Sequence, residues 1–261
     1  SDGLFYVVDT QAWTISQVSV AGLPPPLGLG MFDGYGILPA SKNQWYITAV
    51  DDFTNIDPLD FASAESSPDA IVRVAVRESE LVMFGSESVE WWRNTGETFP
   101  FGRVTAKRFG CLSAASVTEA GETLAWIATD PKSNIFVALM EGYSASPIST
   151  HAVERAIRDD ANRSSITATS WGEDGHTFIA FTGTDWTWVY DTKTKLWHER
   201  NSYLDDKWRV GVVVSFAGKL IATLALCGAA DSVVRHARAV LRQIVKDLRG
   251  AQPSRPIPPK G

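Results

Sequence analysis

The sequence predicts an all-β chain: a β-propeller, partial or complete, built of antiparallel hairpin blades and followed by a C-terminal amphipathic α-helix. Three observations carry that reading. A polar-Gly, strand, turn, strand pattern recurs along the chain at roughly 30 to 55 residues, a spacing that brackets the period of propeller blades. Tryptophan is abundant, with 10 copies in 261 residues, which suits sheets packed face to face, where large flat rings fill the space between layers. Helical spacing of apolar residues appears in only two short stretches. A hairpin cannot bury both its faces alone, and radial stacking of copies solves that problem. A β-sandwich is the competing architecture.

The copies run in order. "SDGLFYVVDTQAWTISQV" opens the chain and "FDGYGILPASKNQWYITAV" follows. "RESELVMFGSESVEWWRNTG" is the third, with Ser79-Glu80 where the Gly would stand. "EAGETLAWIATDPKSNIFVALMEG" and "EDGHTFIAFTGTDWTWVYDTKTKLWHER" come next, and "FAGKLIATLAL" begins another.

Between the copies lie stretches with other candidate roles. "DDFTNIDPLDFASAESSPD" (51–69) is acidic and turn-rich. Its Asp51, Asp52, Asp57, Asp60 and Glu65 lack the spacing and glycine of an EF-hand, so it reads as a solvated connection. "NTGETFPFGRVTAKRFG" (94–110) interleaves Arg103, Lys107 and Arg108 with Phe99, Phe101 and Phe109. That composition fits a nucleic-acid stacking patch; the reading preferred here is an inter-blade loop whose aromatics plug the core. "STHAVERAIRDD" (149–160) predicts a short helix capped by Thr150, with Ala152, Val153, Ala156 and Ile157 at helical spacing. His151 falls in its first turn, where positive charge is disfavoured, so a neutral structural role is expected.

"WVYDTKTKLWHER" (188–200) ends in His198, Glu199 and Arg200, an acid, a base and a cation side by side. Apolar residues flank a polar turn, the pattern of a β-hairpin. Neighbours on a strand point to opposite faces, so the three cannot converge on one substrate without a bulge. The exit of a structural hairpin is the expected role.

Bulk properties remove several classes. The net charge of -6 argues against wrapping nucleic acid through the overall field, because counterion release needs clustered Lys and Arg. Cys111 and Cys227 allow one disulfide and no zinc site. The histidines at 151, 176, 198 and 236 have no ligand spacing. No apolar run is long enough to span a membrane, and the first residues lack the basic region of a signal peptide. No catalytic residue, metal or cofactor is expected. The alternative from a different class is a carbohydrate-binding or glycan-hydrolysing β-propeller. There, Trp45, Trp171 or Trp186 would be exposed to stack on sugars, and Asp51-Asp52 or Asp205-Asp206 would supply the carboxylates. A third reading is a nucleic-acid-binding module built on 103–108 and the C-terminal helix.

Six strings, "DPLDFASAESSPD", "FGSESVEWWRNTG", "FPFGRV", "GCLSAASV", "ISTHAVERAI" and "TWVYDTKTKLWHER", occur in this order. Together they resemble the tail accessory factors of short-tailed phages, also called packaged DNA stabilisation or tail nozzle proteins. The resemblance runs from the first repeat to Lys219. It implies a β-propeller-based subunit of a homohexamer in the virion tail, assembled in the host cytoplasm, below the portal and its adaptor ring. It further implies channel closure together with a tail needle, attachment of tailspikes, passage of DNA without tight binding, and no catalytic chemistry. Members of that family are longer, and residues ahead of the first repeat are expected to be missing here.

The expected organisation is therefore a propeller-like domain over 1–219, a non-matching segment over 220–250, and a Pro-rich disordered tail over 251–261. In the middle segment Val234, Ala237, Leu241, Ile244 and Leu248 form one helical stripe. Asp231 or Ser232 would cap its start and Gly250 its end, and Arg235, Arg238, Arg242, Lys246 and Arg249 cover the other side. Such a helix would pack on the protein's own exposed sheet edge, or bind a membrane surface, an acidic partner or another helix.

Overall fold

Among the described residues, six antiparallel sheets follow one another along the chain. The structure is a computed structural model and describes residues 5–40, 43–64, 69–216 and 219–224. Sheet 1 is the hairpin β1 (Phe5–Asp9) and β2 (Thr14–Val18). Sheet 2 holds β3 (Gly30–Phe32), β4 (Tyr35–Pro39), β5 (Gln44–Ile47) and β6 (Phe61–Ser63). Sheet 3 holds β7 (Ile71–Arg77), β8 (Glu80–Gly85), β9 (Val89–Asn94) and β10 (Phe101–Lys107). In sheet 4, β11 (Gly110–Cys111) and β12 (Thr118–Ala120) both pair with β13 (Thr123–Thr129), and β14 (Ile135–Glu141) and β15 (Ser144–Pro147) follow. Sheet 5 holds β16 (Thr167–Glu173), β17 (His176–Thr182), β18 (Thr187–Asp191) and β19 (Leu196–Glu199). Sheet 6 is the hairpin β20 (Val210–Phe216) and β21 (Lys219–Leu224).

Each sheet packs a face on the next, and an apolar core fills every gap. Phe5 packs with Leu38 and Tyr46 between sheets 1 and 2. Trp45, Leu81, Met83 and Trp92 pack between sheets 2 and 3. Phe84, Trp91, Trp126 and Met140 follow, then Ile127, Val137, Ile179 and Tyr190. Trp171, Ala180, Val189 and Val213 close the series. The middle strands therefore have two buried faces. In β8, Leu81 and Met83 enter one core while Val82 and Phe84 enter the next. This is why "ELVMFG", "TLAWIAT" and "HTFIAFT" read as near-continuous apolar runs rather than alternating ones.

First strands lie against first strands. β3 touches β7, β12 touches β16, and β16 touches β20. The Val213 N–H donates to the Thr169 hydroxyl across the last of these contacts, at 3.0 Å. At these three junctions the sheets fan out from neighbouring first strands, whereas sheets 3 and 4 touch through β8 and β11.

Turn chemistry explains the recurring polar-Gly dipeptide. Asp33-Gly34 and Asp174-Gly175 join the first and second strands of sheets 2 and 5 with positive φ at both residues. That is the type I′ geometry matching the right-handed twist of a hairpin, and Gly adopts it without Cβ strain.

Several expectations are modified. The stretch 94–110 is mostly strand, since Phe101–Lys107 is the outer strand of sheet 3. Within 51–69, Phe61–Ser63 forms β6 and Ile56 is buried beside Phe5. The helix α1 (His151–Asp159) forms, with Val153 and Ile157 fully buried against sheet 4 and Ala152 exposed. Thr150 occupies the N-cap position but its side chain makes no capping bond. Instead the Ser149 hydroxyl donates to the Glu154 carboxylate at 2.9 Å and accepts the Val137 N–H. Sheet structure continues past Lys219, because Leu220–Leu224 belongs to β21. The expected helix over 231–249, the tail over 251–261, Glu65 and Cys227 lie outside the described residues.

Candidate assembly surfaces

The residues that resembled a catalytic cluster are set apart by strand geometry. In sheet 5, Val189 pairs with His198 and Trp188 pairs with Glu199. Val189 faces sheet 6, whereas Trp188 and the Tyr190–Trp197 pair face sheet 4. His198 and Glu199 therefore stand on opposite faces, both exposed. The Arg200 guanidinium lies over the Trp208 ring at 4.3 Å and the Trp171 ring at 5.5 Å, a cation–π arrangement.

The strongest polar cluster nearby holds the turn of that hairpin. The Asp191 carboxylate accepts the Lys193 N–H at 2.9 Å, the Thr194 hydroxyl at 2.8 Å, and makes a 2.7 Å contact with His176 Nδ1. Burial pushes the Asp191 carboxyl up, but the Lys193 N–H, the Thr194 hydroxyl and His176 together bring it down to about 2. His176 stacks nearly parallel on Phe178. The Thr194 hydroxyl is directed to the same carboxylate. The cluster is a turn lock.

Two further aspartates clasp turns between the second and third strands of their sheets. Asp69 accepts the N–H of Glu87 and of Ser88, and the Ser88 hydroxyl. Asp160 accepts the Thr184 N–H, the Thr184 hydroxyl and the Trp186 indole N–H. Both turns start at a glycine, with the Gly85 N–H bonded to the Ser88 carbonyl and the Gly183 N–H to the Trp186 carbonyl. A Cβ on Gly85 would collide with the Asp69 carboxylate, and one on Gly183 with the Asp160 carboxylate and the Trp186 ring. Glycine is required because the clasp occupies the side-chain position. These aspartates act over separations of 18 to 26 residues, and sequence reading missed them.

Sheet 4 begins with a broken strand that was also missed. A 3-10 turn at Ala114–Ser116 separates β11 from β12. The buried Ser116 hydroxyl takes over a ladder position, accepting the Ile127 N–H at 3.3 Å and donating to the Ser113 carbonyl. The Ser113 hydroxyl reaches the Ile166 carbonyl at 2.8 Å, stitching the break to the entry of sheet 5. Burial pushes the neighbouring Cys111 thiol up to about 12, which leaves it un-ionised and inert.

The other candidates disperse. Phe101 is buried, and Phe99 and Phe101 pack on Trp45, while Phe109 packs on Trp91 and Trp126. None is free to stack on a base. Arg103 sits 3.5 Å from the buried Glu90 carboxylate. Trp45 and Trp171 are buried, and Trp186 is half-buried with its N–H committed to Asp160. The exposed sugar-stacking platform expected of a lectin or glycosidase is therefore not formed by these three. Asp52 accepts the Thr54 N–H and hydroxyl, and Asp205 pairs with Arg209 at 2.8 Å. Among the described residues no cluster of His, Cys, Asp and Glu could hold a metal ion, and no helix is long and apolar enough to cross a membrane. A cleft of about 440 Å³ between sheets 3 and 4 is lined by Glu87, Arg108, Asp130 and Arg163 among others, a mixed-charge surface.

A fan of antiparallel meanders packed face to face defines a β-propeller-type fold. Residues 1–233 match the family model of bacteriophage P22 Gp10, described as a β-propeller, and the chain belongs to that phage stabilisation family. The match passes Lys219 and reaches into the segment expected to diverge. Among solved structures, the computationally designed Ika8 protein is similar at 13% identity and a TM-score of 0.48, over 86% of this chain. The chain spans 63% of the length of that structure. No curated protein sequence matches significantly.

Proposed function

We propose that this chain is a structural subunit of a phage tail nozzle. In this reading it works as a homohexamer below the portal and adaptor ring, closes the channel with a tail needle, carries tailspikes, and lets DNA pass without gripping it. It has no catalytic role. The observation that carries the reading is the family match over residues 1–233. Support comes from the polar chemistry: Asp69, Asp160 and Asp191 are spent on turns, and His198 and Glu199 cannot cooperate. The net charge of -6 suits a conduit, since each phosphate neutralised by Lys or Arg would add affinity and slow DNA exit.

The test is electron microscopy of virions from a phage carrying this gene, with the chain tagged at a surface turn. Six copies of label in a ring below the portal are expected. Label elsewhere on the particle, or virions assembled normally without the protein, would overturn the assignment.

A further inference from the structure

The cleft of about 440 Å³ between sheets 3 and 4 has walls from the β8–β9 turn, the β13–β14 turn and two connections between sheets. Hydrogen bonds fix both turns. On one side Asp69 accepts the Glu87 N–H, and a Cβ on Gly110 would strike the Ser86 carbonyl, so this turn rests directly on the start of sheet 4. On the other side Asp130 Oδ1 accepts the Lys132 and Asn134 N–H groups, and Oδ2 accepts the Asn134 side-chain amide. The Thr129 hydroxyl donates to the Ser86 carbonyl at 3.2 Å and ties the two turns together. The cleft is therefore a preformed feature of the fold, in the middle of the described chain.

Four charged side chains line it, and they are not equivalent. The Asp130 carboxylate is spent on its own turn. Arg108 stands between β10 and β11, and Arg163 in the 3-10 turn ahead of β16. Both are exposed, and among the described residues neither makes an ion pair or a side-chain hydrogen bond. Arg77, Arg93, Arg103, Arg155 and Arg209, by contrast, each have a carboxylate partner. Glu87 is exposed and does not pair with either arginine of the cleft. Two guanidiniums are thus gathered at one cleft without an anion. A guanidinium presents a planar fork that matches a carboxylate or a phosphate. The two carboxylates in the same cleft decide between these. A continuous polyanion such as duplex DNA would press phosphates against Glu87 and Asp130. A peptide spaces its charges, so carboxylates can meet the arginines while a neutral residue faces Glu87. Residues 225–261 of this chain do not supply such a segment, since they carry seven Lys and Arg against Asp231 and Asp247.

We propose that the cleft between sheets 3 and 4 is a docking site for an acidic peptide segment of a partner protein. Carboxylates of the segment pair with Arg108 and Arg163, and Glu87 discriminates against denser anions. Charges of this kind at an interface set partner choice and encounter rate more than raw affinity, so the contact is a selector. It does not depend on the tail role proposed above.

The test titrates the full chain into a short dye-labelled peptide of alternating glutamate and serine, followed by fluorescence anisotropy at low salt. Saturable binding is expected, and the same peptide with glutamine for glutamate is expected not to bind. Arg108→Gln and Arg163→Gln should each weaken binding about fivefold, the upper end for an exposed ion pair. Glu87→Gln should tighten it by removing a like charge. Lys193→Gln makes the same charge change as the arginine variants in the distant turn of sheet 5 and should leave binding unchanged; circular dichroism checks that each variant is folded. Absence of saturable binding, or a glutamine peptide that binds equally, would overturn the proposal. So would an affinity unmoved by both arginine substitutions, which would put the peptide on the basic stretch 235–249 instead. Displacement of the peptide by duplex DNA at equal charge concentration would also overturn it, because the cleft would then be a phosphate surface.

Discussion

Replacing Asp160 by Ala removes the clasp on the Gly183–Trp186 turn and exposes what it contributes. The carboxylate accepts the Asn162 and Thr184 N–H groups, the Thr184 hydroxyl and the Trp186 indole N–H, all between 2.7 and 2.9 Å. Hydrogen bonds to a charged acceptor are worth about 1.5–3 kcal/mol each when shielded. Asn162 and Thr184 are exposed and would recover water, which cuts their share to a few tenths each. Trp186 is half-buried beside Ile157 and Ile179 in the sheet 4–sheet 5 core, so its N–H loses most. The sum is about 2–3 kcal/mol. Urea unfolding followed by tryptophan fluorescence would read this as a midpoint lowered by about 1 M, taking a slope near 3 kcal/mol/M for a chain of this size. Asp160→Asn should cost about half as much. Its oxygen can keep the Thr184 and Trp186 N–H groups, and its amide can donate to the Thr184 hydroxyl but opposes the Asn162 N–H. An unchanged midpoint in the Ala variant, or an Asn variant worse than Ala, would refute the clasp.

Other expectations are briefer. His198→Ala and Glu199→Ala should each shift stability by less than about 1 kcal/mol, as exposed strand positions do, measured by the same urea titration; a hydrolytic activity abolished by both at unchanged stability would reinstate a catalytic reading. Asp191 has its folded carboxyl depressed from 3.8 to about 2, so its contribution is complete above pH 4 and disappears as pH falls through about 2. An acid titration by circular dichroism should therefore show Asp191→Ala losing part of the pH dependence in that window; identical acid profiles would count against the turn lock. Duplex DNA should bind more weakly than ~1 µM at ~0.15 M salt, because few cations are clustered. Gel shifts with and without residues 231–261 check this, and micromolar binding by the shortened chain would make the sheets themselves a DNA surface.

How much of this was legible depended on which contacts are local. The second and third strands, such as Leu81–Phe84 and Trp126–Ala128, announce themselves because both faces are buried and the runs stay apolar. The Asp-Gly turns are equally plain, since only a few residues tolerate their backbone. The outer strands Phe61–Ser63 and Ser144–Pro147 are short, partly exposed and weakly patterned, so nothing in their composition separates them from loops. Thr150 sits where a cap belongs, yet Ser149 and Glu154 do the bonding, a choice set by the neighbouring Val137 N–H. Trp45 and Trp171 were candidates for sugar stacking by residue type alone; it is the next sheet in the fan, invisible to local pattern, that covers them.

The stretch 188–200 shows how the same residues carry two kinds of information. Read as side-chain chemistry, His198-Glu199-Arg200 suggests a site, and the pairing of Val189 with His198 and Trp188 with Glu199 dissolves it. Read as backbone, Asp191 through Lys195 marks a position within the repeat, because the carboxylate fixes the turn and the fifth residue must go left-handed. That marker recurs at Asp9 through Trp13. It identifies sheet 1 as a third-and-fourth-strand hairpin, a distinction the polar-Gly pattern alone did not make. By the same count sheet 6, whose β20 lies against β16, is a first-and-second-strand hairpin. The turn thus fixes the phase of the repeat, and it does so without any residue there being chemically unusual.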